Sequence, residues 1–183
     1  MKKLLSAILV IFLMFTLCSC VSSDRNIDNY LKDRMKYEAT RFMPSFDSLG
    51  DYKNIEYYSR KDDGLFPEYS MQLVVSYDED TFLSQKERLE TAYTYLEEPQ
   101  TLDGDISLYT IPVTDFSYMG FDFKVAVFDD TDYPKNFGMV GISEDNYEIS
   151  YLWLYAFDLD YICTKGESEY LSMCSFMARY FDL

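Results

Sequence analysis

Histidine is absent from all 183 residues. That one absence removes Ser-His-Asp and Cys-His catalysis, imidazole proton relays and His-ligated zinc. Basic side chains are scarce as well: 16 Lys and Arg stand against 32 Asp and Glu, for a net charge of −16. Such a field repels phosphate backbones, which argues against nucleic acid as a partner, and it attracts cationic ones. Glycine (7) and proline (5) are few, and the chain holds no Gly-rich phosphate loop, no Cys-pair metal spacing and no basic stripe. No cofactor is expected. What the chain has in abundance is apolar and aromatic surface. It is 48% hydrophobic, with 18 Tyr and 14 Phe, far too much for an acidic disordered chain.

The first twenty residues have an order of their own. Met1-Lys2-Lys3 is cationic, and Leu4 to Thr16 is nearly unbroken apolar sequence, too short to span a bilayer comfortably. The run ends in Leu17-Cys18-Ser19-Cys20, which resembles the lipobox of bacterial lipoproteins. The resemblance implies cleavage between Ser19 and Cys20, diacylglycerol on the Cys20 sulfur and an acylated N-terminus at the cell envelope. An ordinary signal peptide or an uncleaved apolar anchor is the alternative. Two or three acyl chains anchor stably where one would be marginal, at about 0.8 kcal/mol per buried methylene. On this reading residues 1–19 are a removed signal, 20–26 form the lipidated N-terminus and a short linker, and 27–183 form one acidic domain. Losing Lys2 and Lys3 with the signal takes the net charge of the remaining 164 residues to −18.

The domain reads as α+β, in the order α-ββ-α-ββββ-α, with a mainly antiparallel sheet of about six strands and helices on one face. The 3.6-residue spacing of Ile27, Leu31, Met35 and Phe42 predicts a first helix over 24–41, ended by Pro44. Strands are expected over 52–60 and 69–77, joined through Lys61-Asp62-Asp63-Gly64. A middle helix then runs to about Glu97, with strands over 106–113, 121–128 and 137–143. Residues 147–162 give the longest strand pattern. Its odd positions are apolar throughout, and its even positions only in the middle, as a central strand covered at its centre would be. A last helix spans about 168–181.

Candidate sites are sparse. Asp129, Asp130 and Asp132 alternate as a calcium loop might, without the glycine and distal Glu of an EF-hand; a solvated turn is the favoured reading. Tyr118 and Tyr133 stand at loop margins and are candidate contacts for a sugar or protein. Tyr57, Tyr58, Tyr93, Tyr95 and Tyr155 belong to the same class but suit a core. Cys163 and Cys174 remain after the anchor. Buried free thiols are favoured, with a disulfide as the alternative. Paired carboxylates hydrolyse glycosides without histidine, but 32 acidic residues offer no way to choose a pair.

Phrases such as Ile142-Ser143-Glu144-Asp145-Asn146, Ile149-Ser150-Tyr151-Leu152 and Phe157-Asp158-Leu159-Asp160-Tyr161 resemble small uncharacterised lipoproteins of Gram-positive gut bacteria, a likeness that implies no activity. The expected function is therefore a membrane-anchored, extracytoplasmic, non-enzymatic binding domain. A tethered immunity or inhibitor protein against a basic toxin or enzyme is the first alternative, and a carboxylate-based envelope hydrolase the second.

Overall fold

The computed structural model describes residues 21–98, 101–102, 105–110, 114–127, 133, 135–157, 162–164 and 169–183. At 101–102, 105–110, 127, 162–164 and 169–170 it describes the backbone alone. The strands are β1 (Val21–Asp24), β2 (Asn54–Asp62), β3 (Glu68–Ser76), β4 (Thr94–Tyr95), β5 (Thr101–Leu102), β6 (Asp105–Thr110), β7 (Asp115–Tyr118), β8 (Phe121–Val127), β9 (Asn136–Ser143), β10 (Glu148–Ala156) and β11 (Ile162–Thr164). The helices are α1 (Tyr30–Lys36), α2 (Glu79–Ala92) and α3 (Glu169–Tyr180), with short 3-10 turns flanking α1 and at 46–48. Among the described residues no helix is long and apolar enough to cross a membrane.

The α+β class and the antiparallel sheet hold, but the sheet has eight strands rather than about six. Its order is β1-β2-β3-β10-β9-β8-β4, with β7 sharing the outer edge of β8. A separate three-stranded sheet runs β11-β6-β5. The strand expected over 106–113 thus lies off the main sheet. The pattern read as one strand over 147–162 is two elements, since β10 ends at Ala156 and Ile162 begins β11 in the other sheet. The middle helix stops at Ala92, five residues early, because Thr94 and Tyr95 turn out to pair with β8.

Alternation along the central strands explains the layering. On β10, Ile149, Tyr151 and Trp153 join one core, and Leu152, Leu154 and Ala156 join another on the opposite face. The neighbouring β3 sends Met71, Leu73 and Val75 to the first core and Val74 to the second. Each fully buried large apolar side chain stabilises the fold by about 1.5–3 kcal/mol. Tyr30 of α1 and Phe82 and Leu89 of α2 cover the first face, while Met173, Phe176, Met177 and Tyr180 of α3 cover the second. Helices therefore lie on both faces, not one. A β10 that is apolar on both sides at its centre requires this. The α3 spacing of three, four and seven residues places that stripe on one side of the helix.

Two local features also depart from the sequence reading. Val21–Asp24, expected as linker, forms β1 and pairs with β2 from Val21 opposite Asp62 to Asp24 opposite Ser59. The first helix is shorter than expected and ends at Lys36, because Glu38 takes a left-handed conformation at φ 60°. Within the sheet, β9 carries two glycines that rings approach closely. A Cβ on Gly138 would lie 2.4 Å from the Phe42 ring, and one on Gly141 2.3 Å from Phe123.

A candidate aromatic groove

The groove begins with the way α1 stops. Tyr37 closes the helix by donating its backbone N–H to Asp33 O at 2.9 Å, and Glu38 N donates to Met35 O at 3.3 Å. A residue in this cap position is usually glycine, since a Cβ makes the left-handed region cost roughly 1–2 kcal/mol. Glu38 accepts that strain, and the chain turns so that Tyr37 lies over the sheet. Its ring stacks on Tyr69 with centroids 4.6 Å apart at 21°. Tyr69 stacks in turn beside Tyr155, 5.9 Å away at 22°. The last pair is fixed by register, for Tyr69 and Tyr155 are direct cross-strand partners on β3 and β10.

These three half-buried rings, with Pro67 and Trp153, wall an open groove of about 430 Å³ whose polar margin is Lys36, Glu38 and Asn136. Trp153 Nε1 donates to Asn136 Oδ1 at 2.8 Å, which uses the amide oxygen and keeps the amide nitrogen as a donor. Lys36 Nζ sits 5.0 Å above the Tyr37 ring. Tyr69 donates its hydroxyl to Asp63 Oδ1 at 3.2 Å, and Asp63 is ion-paired with Lys61. Burial, then the Asp63 carboxylate, push the Tyr69 phenol above its ordinary pKa, so it is a neutral donor and ring platform at neutral pH. Among the described residues Glu38 is the one carboxylate that lines the groove. Flat-faced recognition finds three rings and both signs of charge there.

A smaller cavity of about 180 Å³ lies under α2, lined by Lys86, Glu90, Tyr95, Asp122, Lys124 and Glu144 among others. Its charges are partly neutralised within the wall: Lys86 pairs with Glu144, and Lys124 Nζ lies 5.5 Å from the Tyr95 ring. Among the described residues no three acidic or thiol side chains converge as a metal site would need.

Most residues singled out from sequence are elsewhere. Tyr118 and Tyr133 are half-buried against the α3-side core, Tyr133 edge-on to Phe137 at 5.3 Å, and neither reaches the groove. Tyr57 is buried and donates to Asp33 Oδ2, Tyr93 donates to Phe42 O, and Tyr95 to Leu89 O. Of that group Tyr155 alone lines the groove. Ser19, Cys20, Asp129, Asp130 and Asp132 lie outside the described residues. Cys163 is described by its backbone, which pairs with Tyr109 on β6; Cys174 is a half-buried free thiol on α3. Tyr37 and Tyr69 escaped the sequence reading, because the first sat in an apparently continuous helix and the second in an ordinary strand.

No family model, curated protein or solved structure matches this chain.

Proposed function

We propose that this chain is a lipid-anchored extracytoplasmic binding protein, held by Cys20, whose aromatic groove takes a ligand with flat apolar faces and hydroxyl-rich edges. A saccharide of the cell envelope has that chemistry. The observation that carries the reading is the three-ring stack of Tyr37, Tyr69 and Tyr155, opened to solvent beside a strained Glu38. Strain kept at a rim, where glycine would fit better, is the mark of a residue retained for its side chain.

Trp153 is the chain's one tryptophan and lines the groove, so its fluorescence reports occupancy without a label. Titration with oligosaccharide fragments of the envelope is expected to shift or quench that emission. Tyr69→Ala should weaken binding at least about tenfold, equivalent to ~1.4 kcal/mol. Glu38→Gly should stabilise the fold by about 1 kcal/mol while lowering affinity. Emission unmoved by every saccharide tried, or affinity indifferent to Tyr69, would sink the reading.

The charge of −16 favours one second reading, a tethered inhibitor or immunity protein for a basic partner. Capture of such a protein, weakened by salt and unaffected by Tyr69→Ala, would select it.

A further inference from the structure

At one end of the main sheet several chain segments come together. Val21 opens β1 opposite Asp62, the last residue of β2. The β2–β3 turn follows, and its tip exposes Leu65 (81%) and Phe66 (48%). Phe157, just past β10, is 50% exposed and stacks on Phe66 with centroids 5.9 Å apart at 15°. It is fixed there by its backbone N–H, which donates to Pro67 O at 3.1 Å. Lys135 Nζ lies 5.8 Å from the Phe157 ring, and Lys61 lies on the adjoining strand end. Turns are ordinarily polar, and two large apolar side chains at a turn tip that leave about half or more of their surface in solvent call for a reason.

We infer that this rim, Leu65 and Phe66 with Phe157, is a membrane-docking tip that beds into the boundary between lipid headgroups and acyl chains. The inference rests on the reading of Cys20 as the acylated residue. Cys20 is one peptide bond from Val21, about 3.8 Å between Cα atoms. β1 is locked to β2 over four residue pairs, so no linker separates the anchor from the fold. Acyl chains leaving at Cys20 therefore hold this end of the sheet, and not another, at the bilayer. Aromatic and aliphatic side chains with a lysine beside them, here Lys135, suit that boundary, where the lysine stem lies along apolar surface and its ammonium group stays in water. Anionic headgroups repel the acidic surface elsewhere, and Asp63 at the base of the turn is ion-paired with Lys61, so contact is confined to the apolar side chains of the tip. Pro67 and Tyr155 line the groove; Pro67 follows Phe66 directly and Tyr155 stands two residues before Phe157, so the groove opens close to the lipid surface.

The test uses the mature acylated protein in vesicles of phosphatidylcholine with brominated acyl chains, which quench nearby tryptophan. Trp153, 1% exposed, sets the background in the unsubstituted protein. Phe66→Trp should be blue-shifted on vesicle binding, with at least about half of its added emission quenched. Leu83→Trp is the control. Leu83 is 53% exposed beside Phe82, whose ring meets Tyr147 at the opposite end of β10. It should be quenched no more than the background. Intact mass separates this inference from the anchor reading. An acyl adduct on Cys20 with an unquenched Phe66→Trp overturns the tip and leaves the anchor. Quenching of Phe66→Trp in a protein without the adduct overturns the anchor and leaves the tip. If the Phe66→Trp emission instead shifts without vesicles as protein concentration rises, together with a doubling of mass, the rim is an interface between copies and the inference fails.

Discussion

On one face of the central sheet, Met71, Leu73 and Val75 of β3 lie among Tyr30, Phe82 and Trp153, and apolar area holds the layers together. The other face of the same strand is built from Glu68, Ser70, Gln72 and Val74. Three of these four are polar and buried, and they grip the end of α3 by named bonds. Ser70 Oγ donates to Tyr180 O at 2.6 Å, and Gln72 brackets Asp182, donating to its carbonyl and accepting from its N–H, both at 2.8 Å. The Glu68 carboxylate takes Arg60 at 3.3 Å, Arg179 at 3.0 Å and the Tyr180 hydroxyl at 2.8 Å. Contact area is forgiving, because a neighbouring side chain can shift to refill lost volume. A buried polar set is not, since removing one member strands the others.

The sharpest break in that comparison is Glu68→Ala. It leaves Arg60, 12% exposed, without its buried carboxylate, and should cost about 3–5 kcal/mol. Arg179 is 42% exposed and recovers part of its loss by hydration, which places the expectation towards the lower value. Urea unfolding measures it, and a loss below about 1 kcal/mol would contradict a polar clasp. Leu73→Met on the area-held face is the matched control and should cost less than about 1.5 kcal/mol.

Next in size is Gly138→Ala. Its new Cβ meets the Phe42 ring at 2.4 Å, and displacing that ring should cost about 1–3 kcal/mol. The loop held by Tyr93 to Phe42 O should loosen first, seen as faster amide exchange over residues 39–43. Unchanged exchange there, with an unchanged melting temperature, would show that Phe42 is not the constraint.

A pH effect bears on the area-held face. Burial lifts the phenols of Tyr30, Tyr57, Tyr93 and Tyr151 on the α1–α2 side above the usual 10.0, and those of Tyr77 and Tyr95 to about 12. A phenol whose pKa is higher folded than unfolded stabilises the fold below pH 10, and that stability is lost as pH climbs through the folded value. Alkali should therefore loosen this face between about pH 10 and 12, with tyrosinate absorbance and loss of helical circular dichroism rising together. Tyrosinate appearing in full near pH 10 with the fold intact would refute it.

How much of this was legible in the sequence depends on the range of the interaction. The alternation in Tyr147-Glu148-Ile149-Ser150-Tyr151 located β10, and Glu144-Asp145-Asn146 marked its turn from β9, because strand and hairpin patterns are local. The apolar even positions Leu152 and Leu154 already called for cover on a second face, which a one-face arrangement could not supply. The end of α1 was invisible, for Glu38 is an ordinary helix former and its left-handed turn goes with the packing of Tyr37 on Tyr69, more than thirty positions away. The groove is assembled from residues of α1's cap, β3, β9 and β10, so no window of sequence contains it. The apolar tip did leave a local trace: Leu65-Phe66 stands where a turn should be polar.

The clasp on β3 has a consequence for the order in which the chain is made. Ser70 and Gln72 wait for partners 110 positions later, and Glu68 for one 112 positions later. Before residues 173–182 are in place, Glu68 has Arg60 but Ser70 and Gln72 lack these partners, and the second face of β9 and β10 lacks its cover. The face that α3 covers therefore closes through hydrogen bonds that span 110 positions or more along the chain.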